Sequence, residues 1–456
     1  PPIVGGVIWL CPHAGFDARS WGVLCIFGAM ISGMIARPLP AGAIIIAGIS
    51  LANVLGLVTT QEALSGFASA TVWLIVAAFI FATGFRTTRL GERIAYHVIA
   101  AFGRSSLRLG YSLVIADLIL APMTASNTAR AGGVIFPVAQ AMAHAFDSRP
   151  GVTANRLGAF LFQALYQGNV VTSAMFMTGM AANPLVIEFT RQTANLRLTW
   201  AQWALAAAVP GLLSLLIAPL VVHRMCPPEV SDTSEARALA RHNLKLLGPL
   251  SRPEKLMIAI FVPVLLLWTT ESLHGLSATT VAYIGVTALL LTRVLTWGDV
   301  LEERGAWDAL VWFGGVVMFA DKLNKVGLLK AFSNATVGLV AGWRWPLALA
   351  VLLVIYLYTH YFFASAAAHV TALFPAFLGL AIVLGAPPLL AALSLGFFSS
   401  LNATLTHYGT GSAVVLYGAG YVSQARWWRI GLIISLIHLA IWLGGGFAWW
   451  KVIGLW

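Results

Sequence analysis

Stretch after stretch of about twenty apolar residues, each long enough to cross a hydrocarbon layer, most limits what this chain can fold into. In lipid, backbone N–H and C=O groups must find partners within the protein, so such stretches become helices. Of 456 residues, 59% are hydrophobic and only 9% charged, against roughly a quarter charged in soluble domains. That balance excludes a soluble enzyme, a disordered tail and a nucleic-acid-binding module. The expected fold class is an all-α membrane protein. The net charge of +11 reads as an excess of Lys and Arg in cytoplasmic loops. Cys11, Cys25 and Cys226 are too few and too scattered for a disulfide framework or a zinc site. The chain begins at Pro1 with no Met and no cleavable signal pattern, which reads as a trimmed N-terminus.

Breaks marked by charge, Pro or Gly place spans near 1–11, 20–36, 39–58, 71–85, 157–187, 199–225, 255–271, 276–295, 307–321, 387–422 and 427–450. Basic amphipathic stretches run from Arg86 to Arg108 and from Lys322 to Lys330. One long polar segment, 226–254, holds Pro227, Pro228 and Pro253 with Glu229, Asp232, Glu235 and Glu254, and reads as a cytoplasmic linker. Two regions, 110–146 and 337–385, are too long for one span and polar in the middle. The first carries Ser126-Asn127-Thr128 there, the second Thr359, His360, Ser365 and His369. An apolar arm, a polar tip and a second apolar arm read as a re-entrant hairpin. Irregular backbone at that depth survives only where protein or a watery cavity shields it.

A weak internal repeat links the halves. Leu90-Gly91 returns as Val326-Gly327, Phe136-Pro137 as Phe374-Pro375, and Thr172, Thr178 and Gly179 as Thr404, Thr410 and Gly411. The spacings stay near half the chain, the pattern of transporters built from inverted repeats with broken helices at matching places. Residues 1–225 then hold the first span and first repeat, and 255–456 the second repeat. About eleven transmembrane helices plus two hairpins is the working architecture. With a cytoplasmic N-terminus, eighteen of the 27 Lys and Arg fall on the cytoplasmic side and eight outside, with Arg130 beside the first tip, in accord with the positive-inside rule.

Enzyme signatures are thin. No HExxH zinc pair and no GxxxxGK[ST] phosphate loop is present. Gly48-Ile49-Ser50-Leu51-Ala52 loosely resembles an intramembrane serine-protease loop, which leaves a hydrolase using Ser50 as a rival. The first tip says more: Pro122 breaks the first arm, and Ser126, Asn127 and Thr128 follow. Hydroxyls and a carboxamide are neutral donors, suited to a carboxylate that must be released again. Helix N-termini beside the tip add N–H groups and a positive dipole end. Alternatively, such residues act as glue between helices. Gln167-Gly168-Asn169, Thr172-Ser173, Thr178-Gly179 and Asn183-Pro184 break one span, and Ser399 to Gly411, with Asn402, His407 and Thr410, breaks its partner. Hydroxyls combined with glycine suit an unwound helix beside a ligand or ion.

Over nearly its whole length the sequence resembles the divalent anion:sodium symporters, carriers of di- and tricarboxylates. Ser126-Asn127-Thr128, Thr172-Ser173-Ala174-Met175-Phe176 and Asn402 to Gly411 carry the resemblance. The last piece, with His360-Tyr361 and Ala364-Ser365, is most similar to the exchanger branch of citrate/succinate and tartrate/succinate antiporters and the plastid 2-oxoglutarate/malate translocator. The resemblance implies a homodimer with a fixed scaffold and a moving transport domain, an elevator-type mechanism. It implies that Ser126, Asn127 and Thr128 hold one carboxylate and that the second hairpin supplies the other contact. There the sequence departs, reading Ser365-Ala366-Ala367, one carboxamide and one hydroxyl short, which weighs against symmetric binding and tight sodium coordination. His369 and His407 are candidate compensating donors, and Thr178, Gly179, Asn402, Thr410 and Gly411 are the next candidates. Sodium, where carried, belongs near Asn127 and Gly168. Asp117 and Arg130 flank the tip as a pair or a gate. The expected function is exchange of citrate-, succinate-, tartrate-, malate- or 2-oxoglutarate-type acids across a bacterial inner membrane, with sodium-coupled uptake as runner-up and no cofactor.

Overall fold

The computed structural model describes residues 1–456 except 12, 14, 15, 328–330 and 332–343. Among the described residues every regular element is helical, and one isolated antiparallel bridge joins Ser105 to Asp232. Eight stretches are long and apolar enough to cross a membrane, from Ala18–Ala36 to Gln424–Val452, and Ala41–Val54 and Ala278–Leu291 are shorter apolar helices. The protein is an all-α, multi-pass membrane protein. The ends of the expected amphipathic stretch, 328–330, and the start of the expected second hairpin, 337–343, lie outside the described residues.

After Pro2–Leu10, Ala18–Ala36 and Ala41–Val54, the chain passes twice through one order of elements. First come Ala70–Thr87, a hairpin of Ser106–Leu120 and Phe136–Ala145, a broken helix (Gly158–Met175, then Asn183–Ala194) and the long Trp200–Met225. Later come Arg304–Lys325, a hairpin of Trp345–Tyr358 and Ala366–Val383, a broken helix (Pro388–Leu401, then Gly411–Gly418) and Gln424–Ala440. The last helix continues through a π-turn, Ile441–Gly446, into Phe447–Val452.

Both hairpins turn by the same local device. A short 3₁₀ turn ends the first arm, Ala121–Met123 in one and Thr359–Phe362 in the other, and an extended residue follows, Thr124 or Phe363. A hydroxyl then opens the second arm: Ser126 accepts from the Ala129 N–H (3.1 Å), Ser365 from the Ala368 N–H (3.4 Å). Such side-chain caps satisfy N–H groups that the first helical turn leaves unpaired. The first hairpin differs by a π-turn over Ala129–Ile135. A π-turn accommodates one extra residue, and the numbering shows it: Ser126 and Ser365 are 239 apart, Phe136 and Phe374 only 238.

All eighteen residues of Gly158–Met175 are buried, Gln163, Gln167, Asn169, Thr172 and Ser173 included. Small residues bring this helix against the first hairpin. A Cβ at Gly110 would come within 2.5 Å of Phe160, and one at Gly168 within 2.6 Å of Val114. Close approach at small residues is how helices associate where lipid offers no hydrophobic drive.

The polar segment 226–254 is folded onto the protein. Ser234–Leu247 is helical and lies along Leu90–Phe102, where Arg237 Nε donates to the Ala100 carbonyl (2.9 Å). Arg93 forms a buried ion pair with Glu254 (2.5 Å) and donates to the Gly248 carbonyl (2.9 Å). The basic stretch and the linker acids, read apart in sequence, thus neutralise one another in part. Near the other repeat, Arg304–Lys325 runs four residues past its expected end. Its last turn is held by Lys322–Glu62 (2.6 Å) and Lys325–Asp321 (2.6 Å) pairs.

Candidate functional site

The breaks in both halves meet at one cleft of about 230 Å³. Its lining includes Ser126, Asn127 and Thr128 from the first tip, Ala364 to Ala367 from the second, Met180, Ala181 and Ala182 from the first broken helix, and Thr410 and Gly411 from the second. Ser126, Ser365 and Thr410 cap the helical segments that follow with their hydroxyls, and Ala182 directly precedes the helix Asn183–Ala194. Four helix N-termini therefore share one cavity. Each brings N–H groups without intrahelical partners and the positive end of a peptide dipole. Phe79 and Trp312, one from each matched span, supply apolar wall.

Contacts across the cleft are close. Asn127 Nδ2 approaches Ser412 Oγ at 3.4 Å, and Thr410 Oγ1 lies 3.0 Å from the same hydroxyl. A Cβ on Gly411 would fall 2.3 Å from Thr128 Oγ1, so glycine is what lets the second broken helix reach the first tip. The donors here are hydroxyls, one carboxamide and backbone N–H groups, with Arg37 the one charged side chain among the described residues of the lining.

Behind the first tip sits a buried ion pair, Arg130 Nε to Asp117 Oδ1 at 3.0 Å, both side chains fully enclosed. Arg130 also donates to the Thr124 and Gly179 carbonyls (3.0 and 2.9 Å) and to the Thr172 and Ser173 hydroxyls (3.2 and 3.1 Å). Asn169 Nδ2 and the Thr172 hydroxyl complete the Asp117 carboxylate. One guanidinium thus ties the tip, the arm and the broken helix together. Of the two sequence readings for this pair, the geometry is that of a paired, fully bonded group.

Six expected residues line the cleft together: Ser126, Asn127, Thr128, Ser365, Thr410 and Gly411. The other five stand outside its lining. The Thr178 hydroxyl donates to the Pro122 carbonyl and accepts from Trp200 Nε1, and the Gly179 carbonyl is taken by Arg130. His369 and Asn402 bond to each other (3.2 Å), and His369 also meets the Thr359 hydroxyl (3.0 Å). His407 accepts from Trp428 Nε1 (3.0 Å) amid Tyr408 and Tyr417. Each of these five makes at least one hydrogen bond within the protein. Gly168 faces Val114. Sequence reasoning missed Arg37, which looked like one more basic residue at a span end; its sequence signal was a charge directly before Pro38.

Ser50 is exposed on Ala41–Val54, and a Cβ at Gly48 would meet Met30 Sδ at 2.2 Å. The small residues there serve helix packing.

A cavity at the meeting of two hairpins and two broken helices defines a membrane transporter. Residues 2–456 match the sodium:sulfate symporter transmembrane region, and the chain belongs to that family, the divalent anion:sodium symporters. It is 48% identical over 455 residues to the putative malate transporter YflS of Bacillus subtilis, covering 99% of this chain and 95% of that one. It is 44% identical over 458 residues to the chloroplastic dicarboxylate transporter 1 of Spinacia oleracea (100% and 80%), and 35% identical to the inner membrane protein YbhI of Escherichia coli (100% and 96%). The YdaH transporter of Alcanivorax borkumensis shares the fold, with a TM-score of 0.57 at 14% identity over 96% of this chain and 99% of that one. The family and its named carriers are transporters, not enzymes.

Proposed function

We propose that this protein exchanges dicarboxylates, and by extension tricarboxylates, across a bacterial inner membrane. The observation that carries this reading is the convergence of four helix starts, with Ser126, Asn127, Thr128, Ser365 and Thr410, on one cleft. Helix N-termini favour anions, and neutral donors hold a carboxylate without trapping it as several buried cations would. The relatives named as malate and dicarboxylate transporters support that substrate class. Ser126, Asn127 and Thr128 bind one carboxylate, and Thr410 and Gly411 close over it. Thr178, Gly179, Asn402, His369 and His407 position the breaks that carry the binding groups. The hairpins and broken helices move as a transport unit against a scaffold of the remaining helices, as an elevator, within a homodimer.

A second reading, sodium-coupled uptake, rests on a matched pair of buried acceptors. Among the described residues Asn169 Oδ1 and Asn402 Oδ1, one in each broken helix, have no partner, nor has Thr406 Oγ1. Unpaired buried oxygens are costly, and a transported cation would satisfy them. Counterflow in proteoliposomes with a panel of labelled acids, with and without sodium, separates the two. Exchange predicts uptake that requires internal dicarboxylate and ignores a sodium gradient; the reverse pattern favours symport. Asn127→Ala should lower uptake about ten- to a hundredfold, as loss of a hydrogen bond to a charged group would. Uptake undiminished in that variant would remove the cleft from the mechanism.

A further inference from the structure

The cleft is chemically lopsided. On one side it has Ser126, Asn127 and Thr128; at the matching positions on the other it has Ser365, Ala366 and Ala367. Two methyl groups stand where a carboxamide and a hydroxyl stand opposite. Next to those alanines the structure puts a cation that belongs to neither hairpin. Arg37 ends the helix Ala18–Ala36 in the left-handed region, φ 50, a conformation that costs a non-glycine residue energy. Pro38 follows, so the helix cannot continue. From this turn Arg37 Nη2 reaches the Ala364 carbonyl at 2.6 Å, across 327 residues of sequence.

That bond is the only one its side chain makes among the described residues, where it has no acidic partner. A guanidinium has five donors in a fork that matches a carboxylate. One is spent on the second tip, and the group lines the cleft with the rest uncommitted.

We propose that Arg37 is the counter-charge for the second carboxylate and sets the preference for doubly over singly charged acids. It stands in for the carboxamide and hydroxyl that the second tip lacks. An arginine–carboxylate contact is stronger than a neutral one and orients its partner. This inference rests on the carboxylate reading above and adds the group that recognises the far end of the substrate.

The test compares succinate with its monoamide, succinamate, in counterflow by wild-type protein, Arg37→Gln and Arg37→Lys. The expected result is a KM for succinate raised about tenfold or more in Arg37→Gln, the scale of one charge-assisted hydrogen bond, with the KM for succinamate unchanged. Arg37→Lys, which keeps the charge and loses the fork, should retain part of the preference. If Arg37 only latches the second tip, both acids slow equally and the succinate-to-succinamate ratio stays at the wild-type value in both variants, which overturns the proposal. Failure of the carboxylate reading looks different: wild-type protein would then carry neither acid.

Discussion

Behind the first hairpin tip, Asp117 and Arg130 form a buried ion pair with Asn169 on the carboxylate. Count 239 residues on from the first two and 233 from the third, and the second half offers Tyr356, His369 and Asn402. These also come together: His369 bonds Asn402 and Thr359, its ring stacks edge-on against Tyr356 (4.5 Å between centroids), and the Tyr356 hydroxyl meets Ser399 at 2.9 Å. One brace is ionic, the other built from a ring, a phenol and an amide. Every guanidinium nitrogen of the ionic brace is bonded, while among the described residues each brace leaves its asparagine oxygen unbonded, Asn169 Oδ1 in one and Asn402 Oδ1 in the other. Repeated topology has kept the contact points and changed the chemistry. The ion pair stands behind the tip with Ser126, Asn127 and Thr128, and the neutral brace behind the tip that reads Ser365, Ala366 and Ala367.

The largest effect should come from the ionic brace. Arg130→Met strands the Asp117 carboxylate in a closed interior, and breaking a buried pair this way costs about 3–5 kcal/mol. Thermal unfolding in detergent should show a large fall in Tm. A fall no greater than that of His369→Gln would erase the distinction between the halves.

Next is the contact that joins them. Gly411→Ala puts a methyl group against Thr128, and overpacking of this kind costs about 1–3 kcal/mol. Adding Thr128→Ala should restore most of the lost Tm, though not transport. A double variant as unstable as Gly411→Ala alone would place the strain elsewhere.

His369→Gln keeps a hydrogen-bonding group beside Asn402 and should cost about 0.5–1.5 kcal/mol, read as a modest shift in Tm. The smallest effect is at the surface pair that ties the chain before the first repeat to the start of the second. The Lys322 ammonium and the Thr59 N–H hold the Glu62 carboxyl down at about 2. A lowered carboxyl stabilises the folded state at neutral pH, and that contribution fades as pH falls from about 4 through about 2. Because the pair is half exposed, Glu62→Gln should cost less than about 1 kcal/mol. The gap in Tm between the variant and wild type should close on acidification, and a gap that widens would reverse the sign.

Much of this could be read from the chain. Ser126-Asn127-Thr128 pointed to a hairpin tip because the region is too long for one span and these three polar residues, with Pro122 before them, fall between its apolar arms. Thr410 and Gly411 were legible as a helix break from a hydroxyl combined with glycine. Boundaries were less so: the break read from Gln167 to Pro184 is confined to 176–182, with Gln167, Gly168, Asn169, Thr172 and Ser173 in intact helix, because Thr178 and Asn183 find backbone partners that keep only that segment unwound. That His369 and Asn402 bond each other was hidden, since a polar residue in a span reads alike whether it faces a ligand or a neighbouring helix.

Sequence by itself determined that the protein spans a membrane as helices, that its halves repeat, and where each half breaks. Those follow from local rules, the length of apolar runs and the cost of unpaired backbone in hydrocarbon. Which broken ends meet, that Arg130 is spent inside while Arg37 from a distant helix reaches the second tip, and that alanines face a carboxamide across one cleft were decided by tertiary structure. Such pairings depend on the approach of segments hundreds of residues apart, and no local pattern encodes that distance.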